Sequence, residues 1–188
     1  MVSKAQARAN TLQTRSARSD NERELCSQGF AAHDWLSILQ GDTVSLYVSM
    51  ASEPPTGPLR TLLRNSAKTI VLPIMGPQRS LAWGFDTGMQ TTNSFGVAEP
   101  EIDIAIQPSS FQTMIIPAQR AGRDGSRLGR GAGYYDRVLA TLPVFDDGGP
   151  LRITLVFDDE VDDVVPTDEW DQKVNVIVTP TRVLHISE

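Results

Sequence analysis

The sequence lacks the features of a secreted or membrane-bound protein. Cys26 is its one cysteine, so an internal disulfide cannot form, and a lone thiol is typical of a reducing compartment. No stretch approaches the roughly 20 apolar residues that a membrane-spanning helix needs. Residues 1–18 contain no apolar core of the kind found in secretory signals. We therefore expect a cytoplasmic protein with no membrane partner.

Positive charge is also scarce in this chain. Lysine and arginine number 17 against 23 aspartates and glutamates, and the formal net charge is −6. Because nucleic-acid binding depends on cationic surface, this balance argues against a nucleic-acid partner. Two segments depart from it, since residues 1–23 and 120–137 each carry five basic and two acidic residues. Solvated surface charge is the simpler explanation, and a local site for an anionic ligand is the alternative.

Short apolar runs alternate with helix-like segments along the chain, whose length suits a single domain over residues 1–188. One predicted helix begins at Asp20 and carries Leu25 and Leu36 on its apolar face. Helices are predicted at 3–18, 20–40, 58–68 and 134–142, and strands at 44–48, 69–73, 80–85, 113–117, 152–157, 174–178 and 182–186. This alternation indicates an α/β fold in which helices cover both faces of the sheet.

The most informative segment is the glycine-rich stretch RLGRGAGYYDR at 127–137. It follows the predicted strand 113–117, and in α/β folds ligands bind at the carboxyl ends of strands. Gly129, Gly131 and Gly133 occupy alternate positions in it. Glycine permits positive φ, so that consecutive backbone N–H groups can converge on an anion. Such a loop can form an anion site, and it can equally be a tight turn.

Charged side chains in the same stretch favour the anion site. Arg127 and Arg130 offer charge-assisted donors for phosphate oxygens, and Asp136 could hold a divalent cation that bridges them. The stretch is neither a Walker A loop nor a dinucleotide-binding fingerprint, because its glycines follow a GxGxG spacing. Glycines alone would suit a tight turn between a strand and a helix. The added arginines, tyrosines and aspartate favour a ligand site over such a turn.

Two other features are predicted to be structural. His185 lies within an apolar run and is expected to be a hydrogen-bonded core residue. The acidic run 158–163 is expected to form a solvated loop rather than a metal site. The sequence contains no obvious catalytic triad.

The stretch 127–137 resembles the signature of the 5-formyltetrahydrofolate cyclo-ligase family, whose members are also called methenyltetrahydrofolate synthetases. Further matches follow in the family's order, at Lys4 and Arg8, Tyr47–Met50 with Glu53, Gly96–Pro100, Val165 and Pro166, Asp171, and Val178 with Thr179. The chain departs from the family pattern at three positions. Gly122 stands in place of an aspartate, Glu160 in place of a common glutamine, and Trp170 in place of a frequent histidine.

The resemblance implies a fold and a reaction. The fold would be a single-domain three-layer α/β/α arrangement with a mostly parallel sheet. The enzyme would be an ATP-dependent cyclo-ligase that converts 5-formyltetrahydrofolate, with or without a polyglutamate tail, to 5,10-methenyltetrahydrofolate. ATP and Mg²⁺ would be required, and ADP and phosphate would be released. The protein would act as a monomer or weak dimer.

The resemblance also assigns roles to individual residues. Positions for ATP would be Lys4, Arg8, Arg127, Leu128, Gly129, Arg130, Gly131, Ala132, Gly133, Tyr134 and Tyr135. Positions for the folate would be Val48, Glu53, Arg130, Gly131, Ala132, Gly133 and Tyr134. Asp136 and Asp171 would hold Mg²⁺, and Lys4 and Arg127 would act directly on the transferred phosphoryl group. Lys4 and Arg8 lie one helical turn apart, so both can face the same phosphate.

Two alternative functions remain open at the level of sequence. A non-catalytic relative would bind nucleotide or folate without turnover, and Gly122 and Trp170 are the residues that favour it. A sugar-phosphate isomerase or CoA-transferase-like enzyme on a related fold would use a catalytic glutamate, for which Glu53 and Glu99 are candidates. That second alternative explains the glycines but not the Tyr-Tyr-Asp sequence that follows them.

Overall fold

The computed structural model describes residues 2–88, 90–93, 96–100 and 106–186. The helices in these ranges are α1 (Lys4–Ala17), α2 (Asp20–Ala32), α3 (Trp35–Ile38), α4 (Gly57–Asn65) and α5 (Tyr134–Leu139). The strands are β1 (Thr43–Ser45), β2 (Thr69–Met75), β3 (Leu81–Phe85), β4 (Gln90–Thr92), β5 (Ala98–Pro100), β6 (Thr113–Pro117), β7 (Arg120–Gly122), β8 (Arg127–Leu128), β9 (Leu151–Leu155), β10 (Val161–Asp162), β11 (Val176–Val178) and β12 (Val183–His185). None of these helices combines the length and the apolar character needed to cross a bilayer.

A large sheet organises the described residues, with strand order β12-β11-β9-β6-β1-β2-β3. The inner strands β11, β9, β6, β1 and β2 run parallel, whereas β12 and β3 pair antiparallel at the two edges. The register places Val44 opposite Ile70 and Ile115 opposite Ile153. The prediction of an α/β fold with a mostly parallel sheet is confirmed.

Apolar cores lie on both faces of the large sheet, because alternate residues of a strand point to opposite faces. Ile115 of β6 packs in one core with residues of α2, α3 and α4, among them Phe30, Trp35 and Leu63. Met114 and Ile116 of β6 pack in the other core with residues of α5 and β3. Helices therefore cover both faces, which confirms the three-layer arrangement.

A smaller sheet with strand order β10-β7-β8 carries the glycine-rich segment to the large sheet. The chain leaves β6, forms the β7–β8 hairpin and returns beside the end of β6, where the Gln119 N–H donates to the Leu128 carbonyl at 2.8 Å. These strands span two or three residues each, so they carry too little apolar alternation for sequence patterns to detect.

The helix predicted at 20–40 is wrong in its extent. Ser19, and not Asp20, caps α2, and its hydroxyl and backbone exchange hydrogen bonds with Glu22 in a capping box. The chain leaves the helix at His33 and restarts as α3 under an Asp34 cap. Leu36, which follows this break, is 49% exposed, and Leu25 is 57% exposed because it lies on a different side of α2 from the buried Phe30.

Two structural predictions are also wrong. His185 is exposed because β12 is an edge strand. The run 158–163 is not a solvated loop, since Glu160 is 1% exposed and forms an ion pair with Arg15. Burial opposes ionisation of Asp158, but hydrogen bonds from Thr179 and neighbouring donors outweigh it and lower the pKa of that carboxyl. Acidic residues of this run thus form ion pairs with α1, through Arg15, and with the segment before β12, through Arg182.

Candidate active site

A cleft of about 1080 Å³ opens at the carboxyl ends of the parallel strands. Val48, Met75 and Pro117, which follow or end β1, β2 and β6, border it together with the glycine-rich loop. Its volume is at the upper end of the range for small-molecule sites and leaves room for two ligands. All the residues predicted to bind ligand line this cleft, namely Lys4, Arg8, Val48, Glu53, Asp171 and the segment 127–136.

The backbone of the loop depends on two glycines. Gly131 and Gly133 have φ values of 103° and 72°, in the region that side chains disfavour. Gly133 is the residue that precedes α5. The Arg8 Nε donates to the Gly129 carbonyl at 2.9 Å, and a Cβ at Gly131 would lie 3.2 Å from the Arg8 guanidinium carbon. Arg8 of α1 therefore packs directly on the loop.

Arg127 lies under the loop and is 4% exposed. Its Nη2 donates to Asp136 Oδ1 at 2.5 Å, and its Nη1 donates to the Pro117 carbonyl at 3.4 Å. Its buried Nε finds no acceptor among the described residues. The guanidinium is therefore largely buried at the cleft wall, with its charge balanced by Asp136.

Lys4 joins two carboxylates of the segment that precedes β11. Its Nζ donates to Asp168 Oδ2 at 2.6 Å and also to Asp171. Partial burial lowers the pKa of Lys4, but the hydrogen bonds to these two carboxylates outweigh it and hold that pKa above its ordinary value. Lys4 therefore remains a cation when the cleft is empty of anions.

Asp136 and Asp171 are adjacent in space although they belong to different elements. The Gln172 N–H, next to Asp171 in the chain, donates to Asp136 Oδ1 at 3.2 Å. Within the described ranges no cluster of three or more histidine, cysteine or acidic side chains is arranged to hold a metal. Two carboxylates suit Mg²⁺ when a ligand's phosphates and water supply the other oxygens. The residues present fit a metal that is bound jointly with phosphate.

Another part of the cleft wall carries Glu53, whose side chain is 8% exposed. Its Oε2 accepts from the Met50 N–H at 2.9 Å, and its Oε1 lies 3.2 Å from Arg130 Nη1. Burial, together with the negative charge of Glu53, raises the pKa values of the phenols of Tyr47 and Tyr135. Both hydroxyls are buried without a hydrogen-bond partner in the described part of the chain. This wall offers one carboxylate and two neutral phenols.

Several cleft residues were not predicted to bind a ligand. Pro73, Met75, Leu81 and Val97 add an apolar wall from β2, β3 and the segment before β5, and Tyr47, Arg79, Asp168 and Trp170 add polar and aromatic groups. Met75 and Leu81 are register partners at the end of the β2–β3 hairpin. The pairing of β2 with β3 brings these two residues together, and no local sequence pattern predicts that contact. For Asp168, its spacing of three residues from Asp171 is the one available signal.

Gly122, one of the departures from the family pattern, lies in β7 and not on the cleft wall. A Cβ there would lie 2.2 Å from Ser126 Oγ and 2.4 Å from Asp124 Oδ1. Asp124 accepts from the Ser126 N–H at 3.1 Å, and the Ser126 hydroxyl accepts from the Val165 N–H at 3.0 Å. The space beside Gly122 is therefore filled by this hydrogen-bonded turn.

Comparison with known proteins gives a consistent family. The model of the 5-formyltetrahydrofolate cyclo-ligase family matches residues 1–180. A Mycolicibacterium smegmatis protein named 5-formyltetrahydrofolate cyclo-ligase is 34% identical over 194 residues, covering 96% of this chain and 95% of its own. The Escherichia coli (strain K12) protein of that name is 26% identical, covering 78% of this chain and 82% of its own.

Solved structures agree with this result at the level of the fold. The Aquifex aeolicus 5,10-methenyltetrahydrofolate synthetase superposes with a TM-score of 0.79 at 22% identity, covering 98% of this chain and 93% of that one. The Mycoplasma pneumoniae 5,10-methenyltetrahydrofolate synthetase gives a TM-score of 0.76 at 21% identity, covering 95% of this chain and 99% of that one.

Proposed function

Since this chain belongs to the 5-formyltetrahydrofolate cyclo-ligase family, we propose that it uses ATP and Mg²⁺ to convert 5-formyltetrahydrofolate to 5,10-methenyltetrahydrofolate, with release of ADP and phosphate. One observation carries the proposal. Residues scattered between Lys4 and Asp171, which match the family's motifs, line a single cleft at the carboxyl ends of the parallel strands. The enzyme would work in the cytoplasm as a single domain, either as a monomer or as a weak dimer.

Phosphoryl transfer requires alignment of two substrates and neutralisation of charge on the transferring group. The formyl oxygen is a poor leaving group, and its phosphorylation by ATP would allow N10 to attack the formyl carbon and expel phosphate. Lys4, Arg8 and Arg127 supply positive charge on one side of the loop, and the loop itself supplies backbone N–H groups. No covalent intermediate with the protein is needed, and we assign none.

Binding would exchange partners within the cleft. In the structure the proposed phosphate ligands Lys4 and Arg127 are paired with the proposed metal ligands Asp171 and Asp136. A bound Mg²⁺ would offset phosphate charge and orient the reacting oxygens. Without the metal, the phosphates of the nucleotide would be repelled by the carboxylates of Asp136 and Asp171. Nucleotide affinity should therefore depend strongly on the metal.

The folate would occupy the wall formed by Val48 and Glu53. Glu53 is mostly buried and keeps carboxylate oxygens near the cleft, where they can accept from the N–H groups of a pterin ring. The phenols of Tyr47 and Tyr135 stay neutral because burial raises their pKa values, so they add no negative charge beside that carboxylate.

The reaction can be followed directly by absorbance. Purified protein with 5-formyltetrahydrofolate and MgATP should form methenyltetrahydrofolate, with one ADP released per product. Binding of both ligands without turnover would favour a non-catalytic relative. Thermal stabilisation by sugar phosphates or CoA, and not by ATP, would favour the other enzyme class. Absence of ATP-dependent product over a range of pH would contradict the proposal.

Asp136→Asn is expected to reduce the dependence of nucleotide binding on Mg²⁺ by about 10-fold or more, because it removes a proposed metal ligand and a repulsive charge together. The measurement is the ratio of ADP dissociation constants with EDTA and with Mg²⁺. Asp162→Asn is the matched control, because Asp162 also pairs with an arginine, Arg120, but does not line the cleft. An unchanged ratio in Asp136→Asn would remove Asp136 from the metal site.

Gly131→Ala is expected to weaken nucleotide binding, because an alanine Cβ would press on the Arg8 guanidinium and strain the loop. Gly148→Ala is the matched control, since Gly148 also has positive φ, 85°, but its Cβ would meet nothing within 4 Å. Both variants should lose about 1–2 kcal/mol of stability from the backbone strain. Titration with ADP should distinguish them, and equal affinities would show that the contact with Arg8 is unimportant.

A further inference from the structure

Trp170 is the unusual residue of the cleft. Its side chain is 62% exposed, whereas Trp35 and Trp83 are each 1% exposed. It lines the same cleft as the glycine-rich loop. A large aromatic ring that is exposed at a ligand site can gain burial free energy and a stacking contact when a ligand covers it.

The backbone that carries Trp170 is held firmly. The Asp171 N–H donates to the Asp168 carbonyl at 3.1 Å, and the Asp168 N–H donates to Asp171 Oδ2 at 2.8 Å. Lys4 ties both carboxylates to α1. Gln172 donates through its backbone to Asp136 and through its side chain to the Trp170 carbonyl at 3.2 Å. An aromatic ring on such a fixed turn can accept a stacked ligand with little loss of backbone entropy.

The contacts of this turn decide which ligand ring it meets. They lead to Lys4 and Asp136, the side chains proposed here to hold the phosphate tail and the metal. Glu53, proposed to hold the pterin, is bonded instead to Met50 and Arg130. An indole carries no charge with which to bind phosphate, but its face can stack on a flat heterocycle. In ATP, the flat ring that is attached to the phosphates through the ribose is the adenine base.

We propose that Trp170 forms a stacking surface for the adenine base of ATP, and that it sets the affinity of the cleft for nucleotide over inorganic polyphosphate. This inference rests on the proposed use of ATP. The interaction adds to the phosphate contacts of Lys4, Arg8 and Arg127 and does not replace them.

Acrylamide quenching of tryptophan fluorescence reports mainly on Trp170, because Trp35 and Trp83 are buried and Trp170 is exposed. In the wild type, ADP with Mg²⁺ should quench the emission and protect it from acrylamide, whereas magnesium tripolyphosphate should bind without giving that protection. Trp170→Phe, which keeps a stacking face, should retain most of the ADP affinity. Trp170→Ala should weaken ADP by about 5- to 100-fold, the range for stacking on one aromatic ring, and tripolyphosphate by less than about 2-fold.

Each other outcome overturns the inference. Equal weakening of ADP and tripolyphosphate in Trp170→Ala would show that the indole supports the turn and not the base. Unchanged ADP affinity would show that no base contacts it. Protection by 5-formyltetrahydrofolate alone would place the pterin there, and protection that rises with protein concentration would indicate a contact between two copies of the chain. Failure of the wild type to bind ADP or form product would instead contradict the proposed function.

Discussion

Replacing Arg127 with methionine is expected to lower the rate constant of methenyltetrahydrofolate formation by about 100-fold or more, the usual effect of losing a positioned donor to a charged transition state. Methionine fills much of the same buried volume but offers neither charge nor N–H groups. Arg127 is 4% exposed, lines the cleft and pairs with Asp136, so its guanidinium is held in place beside the loop. Product absorbance at saturating substrates measures the effect.

Stability must be separated from chemistry in this variant, because Arg127→Met leaves Asp136 without its partner. The double variant Arg127→Met/Asp136→Asn removes that unpaired charge and should recover thermal stability without recovering activity. Arg123→Met is the matched control, because Arg123 belongs to the same basic segment but is exposed and lies outside the cleft. Near-normal turnover in a folded double variant would show that Arg127 is structural.

Replacing Arg15 with methionine is expected to destabilise the protein by about 3–5 kcal/mol, the usual cost of removing one member of a buried ion pair. The other cation beside Glu160, Arg18, is more distant at 3.8 Å. Arg15 and Glu160 are 2% and 1% exposed and form two parallel hydrogen bonds of 2.7 and 2.8 Å. Arg15 also donates to the Ala118 carbonyl at 2.9 Å. The pair fastens α1 beside the end of β6, so the same change should displace Lys4 and Arg8 and weaken ADP binding.

Thermal and urea unfolding of a small set of variants test this. Lys68→Met removes a partner from the exposed pair with Asp42, whose side chain is 88% exposed, and should cost less than about 1 kcal/mol. Arg15→Met/Glu160→Gln should cost less than the sum of its single changes, because no unpaired charge remains. Additive losses, or a loss in Arg15→Met no larger than in Lys68→Met, would show that the pair does not anchor α1.

The position of the glycine-rich loop in the cleft could be predicted from sequence because its signal is local. Alternate glycines, two arginines and the Tyr-Tyr-Asp sequence lie within residues 127–137, and each residue type has a conformational or chemical reason to be there. The strand at 113–117 could also be predicted locally, since all its residues are apolar or small. The structure places β6 at the same bounds. The roles of the individual loop residues stay predictions.

The apolar wall of the cleft and the ion pair that anchors α1 could not be predicted from local sequence patterns. Met75 and Leu81 meet because two strands pair, and Arg15 meets Glu160 across 145 positions of the chain. The spacing of apolar residues within one segment gives no information on which distant residue will pair with it. Sequence therefore predicts a solvated loop around Glu160, although this residue is buried in an ion pair. It also predicts a continuous helix across His33, because the apolar spacing continues past the residue at which α2 ends.

The sequence by itself determined the fold class, the family and the position of the glycine-rich loop, because these depend on residue order and on patterns within a few turns of chain. The tertiary structure alone decided that Lys4, Glu53, Arg127 and Asp171 border one cleft and which cations and carboxylates pair there. It also decided that Trp170 is exposed to solvent beside them. The physical reason is that burial and ion pairing are properties of space, and distant segments reach the same space only when the parallel sheet has formed.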